Sequence, residues 1–429
     1  VTSPLNQGQE EAAEQFFQFL FSPEKEFGIS GGGGVGKTHW MGHIIDVIMP
    51  RYLESCKLMD IEPEYVGVQM TATTNKAAEV LSKSTNRPCS TIHSYLGLKV
   101  KDDYKTGRSI LTKTNSWTVH EDTVLFVDEC SMIDTNLDNF VNEGTQNCKI
   151  VYVGDHCQLA PVMEPGGSPI YRRNYPFYEL TEPMRTKIPA LQDLNEQLRE
   201  TVKTGVFKPI KVVPGIIDHL DDQQMQIKLQ EYFKTQTHEA RVLAYTNRRV
   251  MQFNDYIRQV RQLPDAYTVG EFLVNNSALE LRTKMLPVEA DVTIQAIGDL
   301  EAVPIDKDVD LWCRKSTLVD GIGSIYTDVM IPEDRSHYTA LVDYYRKAKN
   351  WERYYALKKK FPDLRQRDSA TSHKAQGSTY KTVFIDLGDI STCHNPDQVA
   401  RMLYVVCSRA QERIFLFGNL AEKYGGLIQ

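Results

Sequence analysis

The stretch Gly31-Gly32-Gly33-Gly34-Val35-Gly36-Lys37-Thr38 constrains this chain more than any other, because it fits G-x-x-x-x-G-K-[ST]. Glycines let backbone N–H groups curl round phosphate oxygens with no Cβ in the way. An apolar strand candidate (27–30) precedes the loop and a helical stretch (38–48) follows it, which sets a bound phosphate at a helix N-terminus. Lys37 has the reach for β- and γ-phosphates, and the Thr38 hydroxyl suits Mg²⁺. A Gly-rich linker would not end in Gly-Lys-Thr at a helix start.

Short apolar runs alternate with helical patterns along the chain, which predicts α/β architecture with parallel sheets. Strands are expected at 27–30, 66–71, 124–127 and 150–153, and a second set at 242–245, 383–387 and 414–417. At 429 residues and about 150 per domain, two to four domains are expected. A content of 41% apolar and 24% charged residues excludes a disordered chain. The net charge of −7 argues against global nucleic-acid affinity but leaves room for a local basic channel. No run approaches the roughly 20 apolar residues of a membrane span. Residues 1–7 lack the basic and apolar regions of a signal peptide. The 8 cysteines include no Cys-x-x-Cys pair and no zinc spacing, so reduced thiols in a cytoplasmic protein are expected.

Two segments break the α/β rhythm. Residues 97–121 read as a hairpin, and 98–113 carry 5 Lys/Arg against 2 Asp. Residues 264–362 begin with period-two alternation, which suggests a small β-barrel. They end in 333–360, which contain no internal Pro or Gly after Pro332 and read as one long helix. Residues 341–367 hold 9 Lys/Arg against 3 acids, interleaved with Tyr344, Tyr345, Trp351, Tyr354 and Tyr355. Stacking plus phosphate neutralisation would use such a pattern on single strands. Helical spacing of Tyr338, Leu341 and Tyr345 equally fits packing on the barrel.

Val124-Leu125-Phe126-Val127-Asp128-Glu129 is a buried strand closed by two carboxylates. Beside a phosphate loop, Asp128 would hold Mg²⁺ through water and Glu129 would orient and deprotonate the attacking water.

Further motifs make the pattern specific. Gly154-Asp155-His156-Cys157-Gln158-Leu159-Ala160-Pro161-Val162 resembles motif III of superfamily 1 helicases, and Leu180-Thr181-Glu182-Pro183-Met184-Arg185 their motif IV. Ser372-His373-Lys374-Ala375-Gln376-Gly377 resembles motif V, and Leu403-Tyr404-Val405-Val406-Cys407-Ser408-Arg409-Ala410 motif VI. Gln9 sits where the adenine-reading Q motif sits, and Thr91-Ile92-His93-Ser94 is similar to motif Ib. Motif Ia would be Thr71-Ala72-Thr73-Thr74-Asn75-Lys76-Ala77-Ala78, with Thr73 where the usual pattern has proline. By order, spacing and insertions the chain most resembles the 5′-to-3′ superfamily 1B branch of Dda-like and RecD-like helicases.

The resemblance implies an α/β fold of two RecA-like domains, 1A (1–96 and 122–185) and 2A (186–263 and 363–429). It further implies a pin hairpin, 1B (97–121), and an SH3-like barrel with a long helix, 2B (264–362). ATP and Mg²⁺ would bind at Gln9, Gly31, Gly34, Val35, Gly36, Lys37, Thr38, Asp128, Gln376 and Gly377. Glu129 would be the base, Gln158 the γ-phosphate sensor, and Arg185 and Arg409 arginine fingers. Thr73, Thr74, Asn75, His93, Asn247, Arg248 and His373 would meet the strand. The tip of the pin is expected near Ser109-Ile110-Leu111, with Leu111 as the wedge. Implied partners are single-stranded and forked duplex DNA, with single-strand binding or replication proteins as further candidates and no membrane. The chain is expected to act as a monomer in the cytoplasm, the host's if phage-encoded. Three other readings stay open: an RNA helicase of the same superfamily, a translocase without strand separation, and a non-catalytic binder.

Overall fold

A computed structural model describes residues 4–161, 167–182, 186–281, 284–307, 309–321 and 323–428. Two parallel sheets form the frame. In the first, the strands run Phe177–Leu180, Glu26–Gly31, Lys149–Gly154, Thr123–Asp128, Gly67–Ala72 and Ser90–Thr91 across the sheet. In the second the order is Ile217–Leu220, Ala410–Phe417, Tyr380–Asp386, Ala240–Ala244 and Ser369–Thr371. These are two RecA-like α/β domains. All seven strands expected from apolar runs are present, because helices cover both faces of each sheet and the central strands are apolar throughout.

In the first domain Phe16, Phe27, Trp40 and Phe126 meet within 5.8–6.4 Å between ring centroids, clamping the phosphate-loop strand between helices. Trp40 is fully buried, an interaction worth about 1.5–3 kcal/mol for a large side chain. The helix after the loop widens to a π turn over Ile44–Ile48 before resuming at Met49–Leu58. Pro50, which cannot donate a helical hydrogen bond, accounts for that widening.

Both insertions exist, with changes of detail. The hairpin pairs Leu98–Asp103 with Arg108–Lys113, from Leu98 opposite Lys113 to Asp103 opposite Arg108. Its tip is therefore Tyr104–Lys105–Thr106–Gly107, not Ser109–Leu111 as expected. Leu111 lies opposite Val100, and its half-buried side chain packs on the first domain's core. The turn falls at the turn-forming residues Asp103 and Thr106-Gly107, where Asp103 accepts hydrogen bonds from Lys105 N (2.9 Å) and the Thr106 hydroxyl (2.6 Å).

The second insertion is a five-stranded antiparallel sheet whose last strand is Leu364–Gln366, so it closes beyond residue 362. Its long helix is two helices, Arg335–Lys347 and Trp351–Lys360. Lys349 turns left-handed (φ 54°) and the Asn350 side chain caps the second helix at Arg353 N, 3.2 Å away. A polar stop of this kind needs neither Pro nor Gly. Tyr345, Leu357 and Phe361 of this helical hairpin pack on Val303, Ile305, Leu311 and Cys313 of the two longest strands. No helix among the described residues is long and apolar enough to cross a membrane.

Candidate functional site

The phosphate loop leaves the strand Glu26–Gly31 at the sheet's C-terminal edge. Gly34 and Gly36 take φ of 87° and 80°, left-handed positions that favour glycine. Gly36 caps the helix Lys37–His43, whose first turn carries Thr38. Lys37 Nζ donates to the carbonyls of Gly31 (2.7 Å) and Gly32 (3.1 Å), folding the ammonium over the loop. The buried Gln9 amide is fixed from both sides. Its Oε1 accepts from Asn6 N (3.1 Å), and its Nε2 donates to the carbonyls of Val35 (3.3 Å) and Gly36 (3.2 Å).

Asp128 ends the strand beside Gly67–Ala72 and Lys149–Gly154. Burial, then the neighbouring Glu129, pushes the Asp128 carboxyl up to about 7 against the pull of Lys37. Asp128 and Glu129, with the Thr38 hydroxyl, offer oxygen donors of the kind a hard divalent cation takes. Glu129 has φ 53° and ψ 40°, a left-handed backbone uncommon for any residue but glycine or asparagine. Motif V closes on it: a Cβ added to Gly377 would stand 3.6 Å from Glu129 Oε1. Gln376 Nε2 donates to the Ser131 hydroxyl at 3.2 Å.

The motif III loop crosses between domains. Cys157 and Leu159 are buried in the second domain's core. Arg401, on the helix Pro396–Cys407, donates to the carbonyls of His156 (2.7 Å) and Gln158 (2.9 Å). Gln158 is buried, its Nε2 3.4 Å from Asp155 Oδ2 and its Oε1 without a hydrogen-bond partner. Asp155 is fully buried and receives Arg199 Nη1 (3.0 Å) and Tyr404 Oη (2.7 Å). Burial alone would raise the Asp155 carboxyl; Arg199, Lys37 and Tyr404 hold it below the usual carboxylate range. Asp155, His156 and Cys157 bring ligand atoms within 4.8 Å of one another. However, Asp155 serves Arg199 and Tyr404, and His156 Nδ1 meets the Ser30 hydroxyl at 2.9 Å.

Arg199 and Tyr404 are residues that sequence reasoning missed as site members. A Cβ on Gly32 of the phosphate loop would lie 3.1 Å from Tyr404 Oη and 3.4 Å from Arg199 Nη1. The guanidinium standing over the loop is therefore Arg199's, carried by the helix Pro189–Thr204. Arg409 is turned into its own domain, donating to the carbonyls of Val405 (2.9 Å) and Ser378 (3.2 Å) and to the Ser408 hydroxyl (2.8 Å). In this conformation it does not hold the finger position the resemblance implies. Arg185 lies outside the described residues.

A cleft between the domains is lined by Glu129 together with Thr74, Lys76, Asn247, Arg365, His373 and Lys374. Thr74 caps the helix Asn75–Thr85, and exposed Asn75 donates weakly to the carbonyl of Val288 (3.4 Å). Burial lowers the pKa of both His93 and His373. Arg248 is exposed at the start of the helix Asn247–Val260. Its basic neighbours are ion-paired: Arg249 to Asp386, Arg258 to Glu271, and Arg261 to Asp368. Thr73 departs from expectation. Its side chain is turned inward, and its hydroxyl donates to the carbonyl of Glu129 (3.1 Å) rather than facing the cleft.

The pin and the helical hairpin meet. Lys359 Nζ donates to Tyr104 Oη (2.9 Å) and pairs with Asp102 (3.2 Å), while Tyr104 and Tyr355 are 5.4 Å apart edge to face. Gly107 lies so close to Trp351 that a Cβ would come within 2.4 Å of the indole.

Comparison with known proteins agrees with this geometry. Residues 4–211 match an AAA domain family, and residues 369–417 a UvrD-like helicase C-terminal domain. The ATP-dependent DNA helicase dda of Enterobacteria phage T4 is 24% identical across 96% of this chain and 98% of its own length. Along nearly its whole length the chain is thus similar to a Dda helicase of superfamily 1B. The RecD subunit of the RecBCD enzyme from Buchnera aphidicola is 29% identical to this Dda-like chain over 31% of it and 23% of RecD. A Bacteroides Pif1 helicase, solved in complex with ADP-AlF3 and ssDNA, shares the fold at TM-score 0.50. It is 13% identical, covering 98% of this chain and 94% of that one.

Proposed function

We propose that the chain is an ATP-dependent DNA helicase that translocates 5′ to 3′ on single-stranded DNA and separates forked duplexes. The observation that carries this reading is Glu129, which lines the interdomain cleft and directly follows Asp128, the carboxyl on which Lys37 of the phosphate loop acts. Nucleotide chemistry and strand grip thus share one residue's surroundings. Lys37 would leave its two carbonyls for the β- and γ-phosphates, and Glu129 would take the proton of the attacking water. Mg²⁺, held by Thr38 and Asp128, would neutralise charge on the phosphates when bound. Gln158, with Asp155, Arg199 and Tyr404, would link phosphate occupancy to the angle between domains. Arg185 and Arg409 remain candidate fingers, Arg409 requiring release from the carbonyls that hold it.

Thr74, Asn75, His93, Asn247, Arg248 and His373 would contact the strand, mostly through its backbone. The tip of the pin, rather than Leu111, would meet the fork. A monomer acting in the cytoplasm goes with this reading, and a single-strand binding or replication protein is a fitting partner.

The test is strand separation on duplexes bearing a 5′ or a 3′ single-stranded tail, with ATP and Mg²⁺. Unwinding from the 5′ tail alone is expected. Unwinding only from the 3′ tail would discard the 5′-to-3′ assignment, and stimulation of ATPase by ssRNA in place of ssDNA would favour the RNA reading.

A further inference from the structure

Thr73 directly follows the strand Gly67–Ala72 and is only 8% exposed. Two hydrogen bonds tie it to the catalytic acids. Its N–H donates to the carbonyl of Asp128 (3.2 Å), and its hydroxyl donates to the carbonyl of Glu129 (3.1 Å). Thr71, two residues earlier on the same face, makes a matching bond from its hydroxyl to the carbonyl of Phe126 (2.7 Å). The strand is thus stitched along its length to the one that delivers Asp128 and Glu129. The last stitch falls where the backbone is strained, because Glu129 is left-handed (φ 53°). A residue in that basin stays there only when its surroundings over-determine it, and the Thr73 hydroxyl bonds the carbonyl of that same residue. Proline, the residue the motif pattern leads one to expect at 73, could supply neither bond.

The next residue faces the other way. The Thr74 side chain accepts from Ala77 N (3.1 Å), capping the helix Asn75–Thr85, and Thr74 and Lys76 line the basic cleft. One peptide unit therefore separates a cleft-facing side chain from one bonded to the Glu129 backbone.

We propose that Thr73 is a positioning residue for hydrolysis. Its hydroxyl holds Glu129 in the left-handed backbone that aims the carboxylate. Through Thr74 and Lys76 it passes strand occupancy to that carboxylate, so the strand raises turnover. This rests on the helicase reading above. It locates the coupling between DNA and ATP in a hydroxyl–carbonyl bond rather than in a contact between Thr73 and the strand.

The test uses the full chain as Thr73→Val, which keeps shape and the N–H bond but removes the hydroxyl, and Thr73→Ser, which restores it. ATPase is measured with and without oligo(dT), alongside ssDNA affinity by fluorescence anisotropy and thermal melting. In Thr73→Val, strand-stimulated kcat should fall about tenfold, a part of the roughly 10²–10⁴ that a positioned base supplies. KM for ATP, ssDNA affinity and melting should stay near wild type, and Thr73→Ser should recover most of the rate. A Thr73→Val enzyme with wild-type kcat overturns the proposal. So does a joint loss of rate and ssDNA affinity that serine fails to rescue, which would return Thr73 to the strand. If the wild type shows no strand-stimulated turnover and Lys37→Ala is equally inert, the helicase reading itself fails and takes this proposal with it.

Discussion

At the scale of single residues, the phosphate loop and the motif III clasp make different demands. Lys37, in the proposed role, would contribute charge to nucleotide and little to the core, so Lys37→Ala should abolish ATP hydrolysis while ssDNA binding persists in an anisotropy titration. Retained turnover would remove the phosphate-loop assignment. Arg199 is mixed. Its side chain is 15% exposed, and it pairs with the fully buried Asp155 and with Glu179 (2.6 Å). Removing one partner of a buried pair leaves the other uncompensated and costs about 3–5 kcal/mol. Arg199→Ala should therefore lower both the melting temperature and the ATPase rate. Pairing it with Asp155→Asn should recover stability but not rate, a non-additivity that a double-mutant cycle detects. A double variant whose loss is the sum of the two single losses would show that the pair carries no coupling. Lys37 could be read from its motif. Arg199 could not, because an arginine on an ordinary amphipathic helix gives no sign that its guanidinium reaches Gly32.

At the scale of elements, the hairpin 98–113, the proposed pin, is tied to the helical hairpin through Tyr104, Asp102 and Lys359. Lys359, Tyr104 and Asp102 are partly exposed, and surface pairs of this kind contribute about 0–1 kcal/mol. Lys359→Ala with Tyr104→Ala should thus leave melting and ssDNA-stimulated ATPase nearly unchanged. Unwinding of a forked duplex should slow severalfold, because a pin freed from its brace yields to the fork. A parallel fall in ATPase would mean that the contact holds the fold rather than the pin. Leu111→Ala belongs to another class. The side chain packs half-buried at the base of the hairpin, so it should show first as lost stability, with unwinding following. The hairpin's existence was legible from its charge and turn residues. Its register was not, because register depends on which strand face finds the core. The break at Lys349–Asn350 was hidden for a similar reason: capping asparagine and helix-interior asparagine look alike until the chain turns.

At the scale of the whole molecule, an acidic chain gathers several basic groups in one interdomain cleft, and most of them are already ion-paired, Lys76 with Asp291 among them. The basic run at 341–367 is largely spent on ion pairs. Among these are Arg353 with Asp306, Lys359 with Asp102, Arg365 with Asp363 and Arg367 with Asp291. The excess of positive charge there overstates what is left for phosphates. Affinity for ssDNA should fall with salt by about 0.7 log units per log salt for each phosphate contact. The slope should correspond to a few contacts rather than to all nine basic residues of that run. A slope near that of nine contacts, measured by titration at several salt concentrations, would put the helical hairpin on the strand.

The sequence by itself determined the two α/β domains, the phosphate loop, the acids Asp128 and Glu129, and the ordered motifs. Each of these is a local pattern whose chemistry follows from residue type and spacing. Only the tertiary structure decided that Arg199 and Tyr404 face Gly32, that Arg409 is turned inward, that the hairpin turns at Tyr104, and that the Thr73 hydroxyl meets the Glu129 carbonyl. Those facts depend on how two sheets and two insertions pack across long sequence separations. An isolated arginine or threonine carries no record of the partner that packing will bring to it.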